Sequence, residues 1–116
     1  MNIRQFYEKT GGDFESVLKR LGSEAMIQRF VLKFAKDPSF GELTHGMEER
    51  DAELAFRAAH TLKGICLNLG FDRLYVPTAA LTEDLRGRAF SGQSETLYRR
   101  VETEYRALVA VIAEWV

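Results

Sequence analysis

The chain has 116 residues, of which 46% are hydrophobic and 28% charged, as is ordinary for one globular domain. The formal net charge of −1 gives no support for binding to nucleic acid or to an anionic membrane surface. No apolar run approaches the roughly 20 residues that cross a bilayer, and the N-terminus lacks the apolar core of a signal peptide. The single cysteine, Cys66, excludes an internal disulfide and a multi-cysteine metal site. We therefore expect a cytoplasmic protein with one domain over 1–116.

The first part of the chain predicts two short helices, a longer helix and another short one. A break at Thr10-Gly11-Gly12 separates the first two, Asp13 can cap the second, and Gly22 ends it. The longer helix follows Ser23, and its expected core-facing stripe is Met26, Ile27, Phe30, Val31 and Phe34. Pro38 suits the first position of the next helix, whose apolar positions are Phe40, Leu43 and Met47.

A central helix is predicted over about 51–70, opened by Asp51 and stopped by Gly70 in a left-handed conformation. Its core seam contains Leu54 or Ala55, Ala58, Leu62, Ile65 or Cys66, and Leu69. A helix from Asp72 should kink or restart at Pro77, which lies too deep to be its first residue. After a loop at 89–92, the final helix carries Leu97, Val101, Leu108 and Trp115.

The longest helical patterns are joined by short loops, and short loops favour antiparallel neighbours. The sequence therefore predicts an all-α fold, namely an antiparallel up-down four-helix bundle with additional short N-terminal helices that cover its ends. No internal repeat or flexible linker is visible.

The run His60-Thr61-Leu62-Lys63-Gly64 lies in the middle of the central helix. At 3.6 residues per turn Leu62 is nearly opposite His60, so a core position for Leu62 turns His60 outward. Glycine costs roughly 1 kcal/mol against alanine in a helix, so Gly64 needs a reason. The outward-facing stripe around His60 contains Phe56, Arg57, Lys63, Gly64 and Leu67. A solvated helix face does not usually combine charged residues, a glycine and two large apolar residues, so this stripe indicates a docking surface around the imidazole.

Other roles for His60 find less support. A lone histidine is more often an ordinary surface residue, but here a lysine, a glycine and an apolar rim coincide with it. A catalytic triad is disfavoured, because there is no Gly-x-Ser-x-Gly motif and Cys66 lies near the buried seam. No metal site is predicted, since His45 is on a different helix. The lack of a glycine-rich phosphate loop disfavours autonomous use of ATP.

At these residues the sequence resembles the histidine-containing phosphotransfer (HPt) domains of two-component phosphorelay signalling. Their signature reads roughly His-x-Leu-Lys-Gly, then a few mostly small residues, then a glycine near the helix end. This chain has His60-Thr61-Leu62-Lys63-Gly64, followed by Ile65-Cys66-Leu67-Asn68-Leu69-Gly70, with Leu74 in a fitting position. The resemblance is specific over about 55–85, and the family fold is a four-helix bundle with added short helices.

The resemblance implies a phosphorelay intermediate rather than a kinase. His60 would accept a phosphoryl group from the aspartyl phosphate of a response-regulator receiver domain and pass it to another receiver, in a relay fed by a hybrid or separate sensor histidine kinase. Lys63 would offset charge on the phosphoryl group, and Gly64 would leave room for the receiver. Phe56 and Leu67 would contact the receiver, with Arg57 on the rim. The chain needs no cofactor, since Mg²⁺ would belong to the receiver, and is expected to be a monomer.

Two departures from the family pattern are visible. Family members often carry Gln or Glu on the following helix to orient the imidazole, and the aligned position here is Thr82, with Glu83 beside it. Because Thr82 is shorter, its contact with His60 would be looser or water-mediated, unless it is an ordinary helix residue. Ile65 and Leu67 stand where small residues are common, and Leu67 would alter the choice of partner.

Two alternatives stay open. The protein could be a non-catalytic helical adaptor that binds receivers without transferring phosphate. It could also be the dimerising helical part of a histidine kinase, which would require a dimer and an adjoining ATP-binding domain. The initiating Met and the complete helices favour a free-standing module.

Overall fold

A computed structural model describes residues 1–115, and over that range the fold has seven helices and no strand. The predicted all-α class is therefore confirmed. In chain order the helices are α1 Ile3–Thr10, α2 Phe14–Leu21, α3 Glu24–Phe34, α4 Ser39–Glu48, α5 Ala52–Leu69, α6 Asp72–Asp84 and α7 Ser94–Trp115.

Helices α4 to α7 form an antiparallel bundle in which each packs against the next along the chain. Helix α4 contacts α7 through Phe40, whose ring stacks on that of Tyr105 with a centroid separation of 4.0 Å. Helix α3 contacts the same residue of α7, since the Phe34 ring lies 5.9 Å from that of Tyr105. At the centre, Leu62 of α5 and Leu81 of α6 are fully buried. The predicted four-helix bundle is confirmed, but the short α4, which was expected to cover an end, is one of its members.

The central helix α5 has the predicted limits. The Asp51 carboxylate accepts a hydrogen bond from the Leu54 amide at 3.1 Å, and Gly70 ends the helix with φ of 68°. The Asp51 carboxylate thus satisfies an amide of the first turn, and the Gly70 amide donates to the Cys66 carbonyl in the last turn. The predicted seam is buried against the bundle, and its members are Ala55, Ala58, Leu62, Cys66 and Leu69.

The N-terminal helices cover the end of the bundle at Gly70. The Tyr7 hydroxyl donates a 2.6 Å hydrogen bond to the Leu69 carbonyl, which lies in the last turn of α5. The Phe6 ring packs 6.2 Å from Phe71 and 5.4 Å from Trp115. The short helices therefore close the end of the helix that carries His60, as expected.

Three expectations about helix detail need correction. Met26 and Phe30 are 38% and 37% exposed rather than core residues, because only one side of α3 packs against the protein. Of the kink or restart expected at Pro77, the restart is wrong, since α6 is continuous from Asp72 to Asp84 around a buried proline. Pro38 precedes α4 instead of opening it, and the Asp37 carboxylate accepts from the Ser39 amide at 2.8 Å.

Within residues 1–115, no helix is both long enough and apolar enough to cross a membrane.

Candidate functional site

His60 projects from the middle of α5 on the side away from the core. Its side chain is exposed, while Leu62 two residues on is fully buried. Among the hydrogen bonds and ion pairs formed within residues 1–115, none includes the His60 imidazole. A neutral imidazole with an unbonded ring nitrogen is a nucleophile near pH 7. The geometry therefore leaves His60 open to an incoming reactant.

Gly64 lies one turn beyond His60 and is exposed. A Cβ added to it would meet no atom within 4 Å, and its backbone φ is not positive. Gly46 shows the opposite case, because a Cβ there would lie 2.7 Å from the Ala55 backbone nitrogen, where α4 crosses α5. Packing explains Gly46, but neither packing nor backbone conformation within this chain explains Gly64.

Lys63 lies on the α6 side of His60. Its side chain is half-buried, and no ion pair within residues 1–115 holds it. Hydrogen bonding from Arg86 lowers the pKa of Glu83, and the positive charge of Lys63 contributes to that lowering. The ammonium of Lys63 is therefore close to the α6 edge of the His60 face and keeps its donors available.

Phe56 does not lie on the open surface, so its predicted outward position is wrong. It is only 6% exposed. The Arg88 guanidinium carbon lies 3.9 Å from the ring centroid and that of Arg86 lies 5.5 Å from it. The ring centroid is 5.9 Å from that of His60. Phe56 therefore supports the imidazole and the guanidinium groups from below instead of offering itself to a partner.

Thr82 is not brought to His60. It is fully buried in α6, and its hydroxyl donates a 2.8 Å hydrogen bond to the Thr78 carbonyl. Of the two possibilities that the sequence left open for Thr82, this hydrogen bond within α6 agrees with an ordinary helix residue. Glu83 is exposed, but its two carboxylate oxygens accept hydrogen bonds from Arg86 at 3.0 and 2.7 Å.

Beside His60 the surface forms an open groove of about 400 Å³ that contains three arginines. Arg57 lines it with a 68% exposed side chain, and Glu53 lies 3.4 Å away. Arg86 and Arg88 were not predicted for this site. They lie in the segment between α6 and α7, and only the Arg-Gly-Arg run directly after a helix marks them in the sequence. The lining residues are Phe56, Arg57, His60, Thr61, Arg86 and Arg88.

The other side of the His60 face is more apolar. Leu67 is 61% exposed, at the position where the sequence placed a docking residue. Asn68, the residue after Leu67, lines a groove of about 420 Å³ between α3 and α5, together with Phe30 and Ile65. Arg20 of α2 donates to the carbonyls of Leu67 and Asn68 at 3.0 and 2.8 Å. This side therefore presents apolar surface on a firmly held backbone.

The remaining candidate groups lie elsewhere. Burial raises the pKa of the Cys66 thiol to about 12, so it is not an activated nucleophile. His45 is exposed on α4. In the part of the chain that the structure describes, no three His, Cys, Asp or Glu residues are grouped so that they could hold a metal ion.

Comparison with known proteins gives a family match that covers most of the chain. The family model described as the Hpt domain matches residues 25–115, a range that runs from α3 to α7 and includes His60. No curated protein and no solved structure matched the chain.

Proposed function

This chain belongs to the Hpt-domain family, whose members carry out histidine phosphotransfer in phosphorelays, and on that premise we propose that His60 is its phosphoacceptor. The observation that supports this most is the pairing of an unbonded, exposed imidazole with Gly64, a helical glycine that the fold itself does not require. Both are explained if a second protein must reach the ring.

In the proposed step the donor is the aspartyl phosphate of a response-regulator receiver domain. The imidazole nitrogen that carries no proton gives its lone pair to phosphorus, and the bond between phosphorus and the carboxyl oxygen breaks. The electron pair leaves on the aspartate carboxylate, while the other ring nitrogen keeps its proton. The reverse step delivers the phosphoryl group to the aspartate of another receiver.

Two neighbours of His60 have proposed roles in this transfer. The Lys63 ammonium would approach the phosphoryl oxygens and offset their negative charge, which counts most once the partner has excluded water. Gly64 would leave the space that a receiver loop occupies above the helix. The chain itself would need no cofactor, because the Mg²⁺ that assists transfer would be bound by the acidic pocket of the receiver.

We propose that the receiver docks on the apolar side of the His60 face. Leu67 is its most exposed large residue, and Phe30 on α3 adds a second apolar contact beside the groove that Ile65 lines. Lys33 also lines this groove and would suit the acidic surroundings of a receiver aspartate. Arg57 would contact the partner at the rim. We propose that the protein acts as a cytoplasmic monomer between receivers and a hybrid or separate sensor kinase.

The test is a transfer assay with phosphorylated receiver domains from the source organism. We expect one or more of them to label the wild-type protein with a phosphate that is labile in acid and stable in base, as expected for a phosphoramidate. His60→Gln should accept none, and His45→Gln, which changes the other exposed histidine, should accept phosphate at the wild-type rate.

Labelling that persists in His60→Gln would show that the acceptor is another residue. If receivers bind the wild type and His60→Ala equally, and neither becomes labelled, the protein is a non-catalytic adaptor instead. A molar mass of two chains in solution would favour the dimerising part of a kinase.

A further inference from the structure

Three arginines line the groove beside His60. Arg57, Arg86 and Arg88 carry three positive charges in this groove, against the two carboxylates of Glu53 and Glu83 that pair with them. A net positive charge therefore remains where a phosphoryl group on His60 would lie.

The direction of the His60 side chain places it among the arginines. Helical side chains lean toward the N-terminal end of their helix, so the imidazole covers the turn that contains Phe56 and Arg57. The separation of 5.9 Å between the Phe56 and His60 ring centroids agrees with this direction. Lys63 lies three residues further along α5, so its side chain leans back toward the turn that carries His60.

Arg88 is held over this groove by an unusual backbone conformation. It has φ of 56°, a value that non-glycine residues rarely adopt. Its Nε donates to Glu53 at 2.9 Å, one terminal nitrogen donates to the Arg86 carbonyl at 2.7 Å, and the guanidinium rests on Phe56. The other terminal nitrogen enters none of the hydrogen bonds formed within residues 1–115.

The other two arginines also keep donors available within the described residues. Arg86 uses Nε and one terminal nitrogen for Glu83, which leaves its second terminal nitrogen. Arg57 approaches Glu53 only at 3.4 Å and makes no hydrogen bond. Planar guanidinium donors match the oxygens of a phosphoryl group better than a single ammonium does.

From this geometry we infer that Arg57, Arg86 and Arg88 bind the phosphoryl group after its transfer to His60 and stabilise the phosphorylated protein. The inference rests on the proposed function of His60 and adds a second role to the site: Lys63 assists transfer, and the arginines hold the product. They are positioning and stabilising residues for phosphohistidine in its dianionic form.

The test uses the full chain labelled chemically, so that it does not depend on a partner. Potassium phosphoramidate transfers its phosphoryl group to an accessible imidazole and releases ammonia, and intact mass with a His60→Gln control establishes the site of labelling. The titration of the phosphoryl group from monoanion to dianion is then followed by ³¹P NMR.

Removing one cation should raise the phosphoryl pKa by roughly half a pH unit, because nearby positive charge favours the dianion. We expect this rise in Arg57→Gln and Arg86→Gln, and in Arg88→Gln if its thermal unfolding remains cooperative. Arg88→Lys keeps the charge over Phe56 and should raise the pKa less than Arg88→Gln. The matched control is Arg106→Gln, since Arg106 is also exposed and paired with a glutamate, at 3.1 Å, but lies on α7.

The inference is overturned if Arg57→Gln and Arg86→Gln titrate like the wild type, or if Arg106→Gln shifts the titration equally. Failure of phosphoramidate to label His60 would also overturn it, because an exposed imidazole in a cationic groove should accept this small anionic donor. Normal titration without transfer from any receiver would instead count against the proposed relay function alone.

Discussion

Replacement of Gly64 by alanine should make the protein more stable and a poorer partner for receivers. A glycine inside an exposed helix costs roughly 0.5–1 kcal/mol relative to alanine. The new Cβ would meet no atom of this chain within 4 Å, so no clash offsets the gain. For a domain of this length the expected rise in Tm is about 2–5 °C.

The longer Gly64→Gln variant separates stability from access most clearly. Glutamine is a good helix former, so this variant should also be at least as stable as the wild type. Its side chain would occupy the space beside His60, and we expect the transfer rate to fall by roughly tenfold or more, since small errors in the alignment of reactants are costly. Thermal unfolding followed by circular dichroism and a rapid-mixing transfer assay measure the two effects.

Two other glycines supply the controls. Gly41 is exposed on α4 and has no atom within 4 Å of a built Cβ, so Gly41→Ala should gain some stability and keep its transfer rate. At Gly46 a Cβ would lie 2.9 Å from the Ala55 Cα, so Gly46→Ala should lose roughly 1–3 kcal/mol. A stable Gly64→Gln protein that transfers at the wild-type rate would refute the clearance argument. A destabilised Gly64→Ala protein would refute the placement of Gly64.

Two further predictions concern Lys63 and Cys66. Lys63→Ala should slow phosphotransfer to His60 in rapid-mixing experiments while the urea midpoint stays near that of wild type; an unchanged rate would remove Lys63 from the transfer step. Because burial raises the pKa of the folded Cys66 thiol to about 12, its contribution to stability is complete below the unfolded pKa and is lost as pH rises. Between pH 7 and 10.5 the free energy of unfolding should therefore fall by roughly 2 kcal/mol more in wild type than in Cys66→Ala, as measured by urea titration. Parallel pH profiles for the two proteins would show that the thiol ionises equally well in the folded state.

The outward positions of His60, Gly64 and Leu67 on α5 could be predicted from the sequence because they depend on local rules, whereas that of Phe56 could not. Asp51 and Gly70 have the side chain and the backbone freedom that helix ends require, and they fix the limits of α5. With Leu62 in the core, the outward position of His60 follows from helix geometry alone.

The errors arise where distant segments meet. Nothing in the stripe of α5 indicates that the segment after α6 folds back and places Arg88 over Phe56. The same lack of long-range information hid Arg86 from the predicted site. The role of Thr82 was left open by the sequence, and its hydroxyl donates to a carbonyl of its own helix.

The packing of α1 against the Gly70 end of the bundle determines which residues a shortened version of this protein must keep. The family match begins at residue 25, yet Tyr7 holds the last turn of α5 and Phe6 covers Phe71 from outside that range. A fragment trimmed to the matched residues would expose the Leu69 carbonyl and an aromatic cluster to water. The stretch that defines the family is therefore smaller than the stretch that must fold together, and expression boundaries belong ahead of α1.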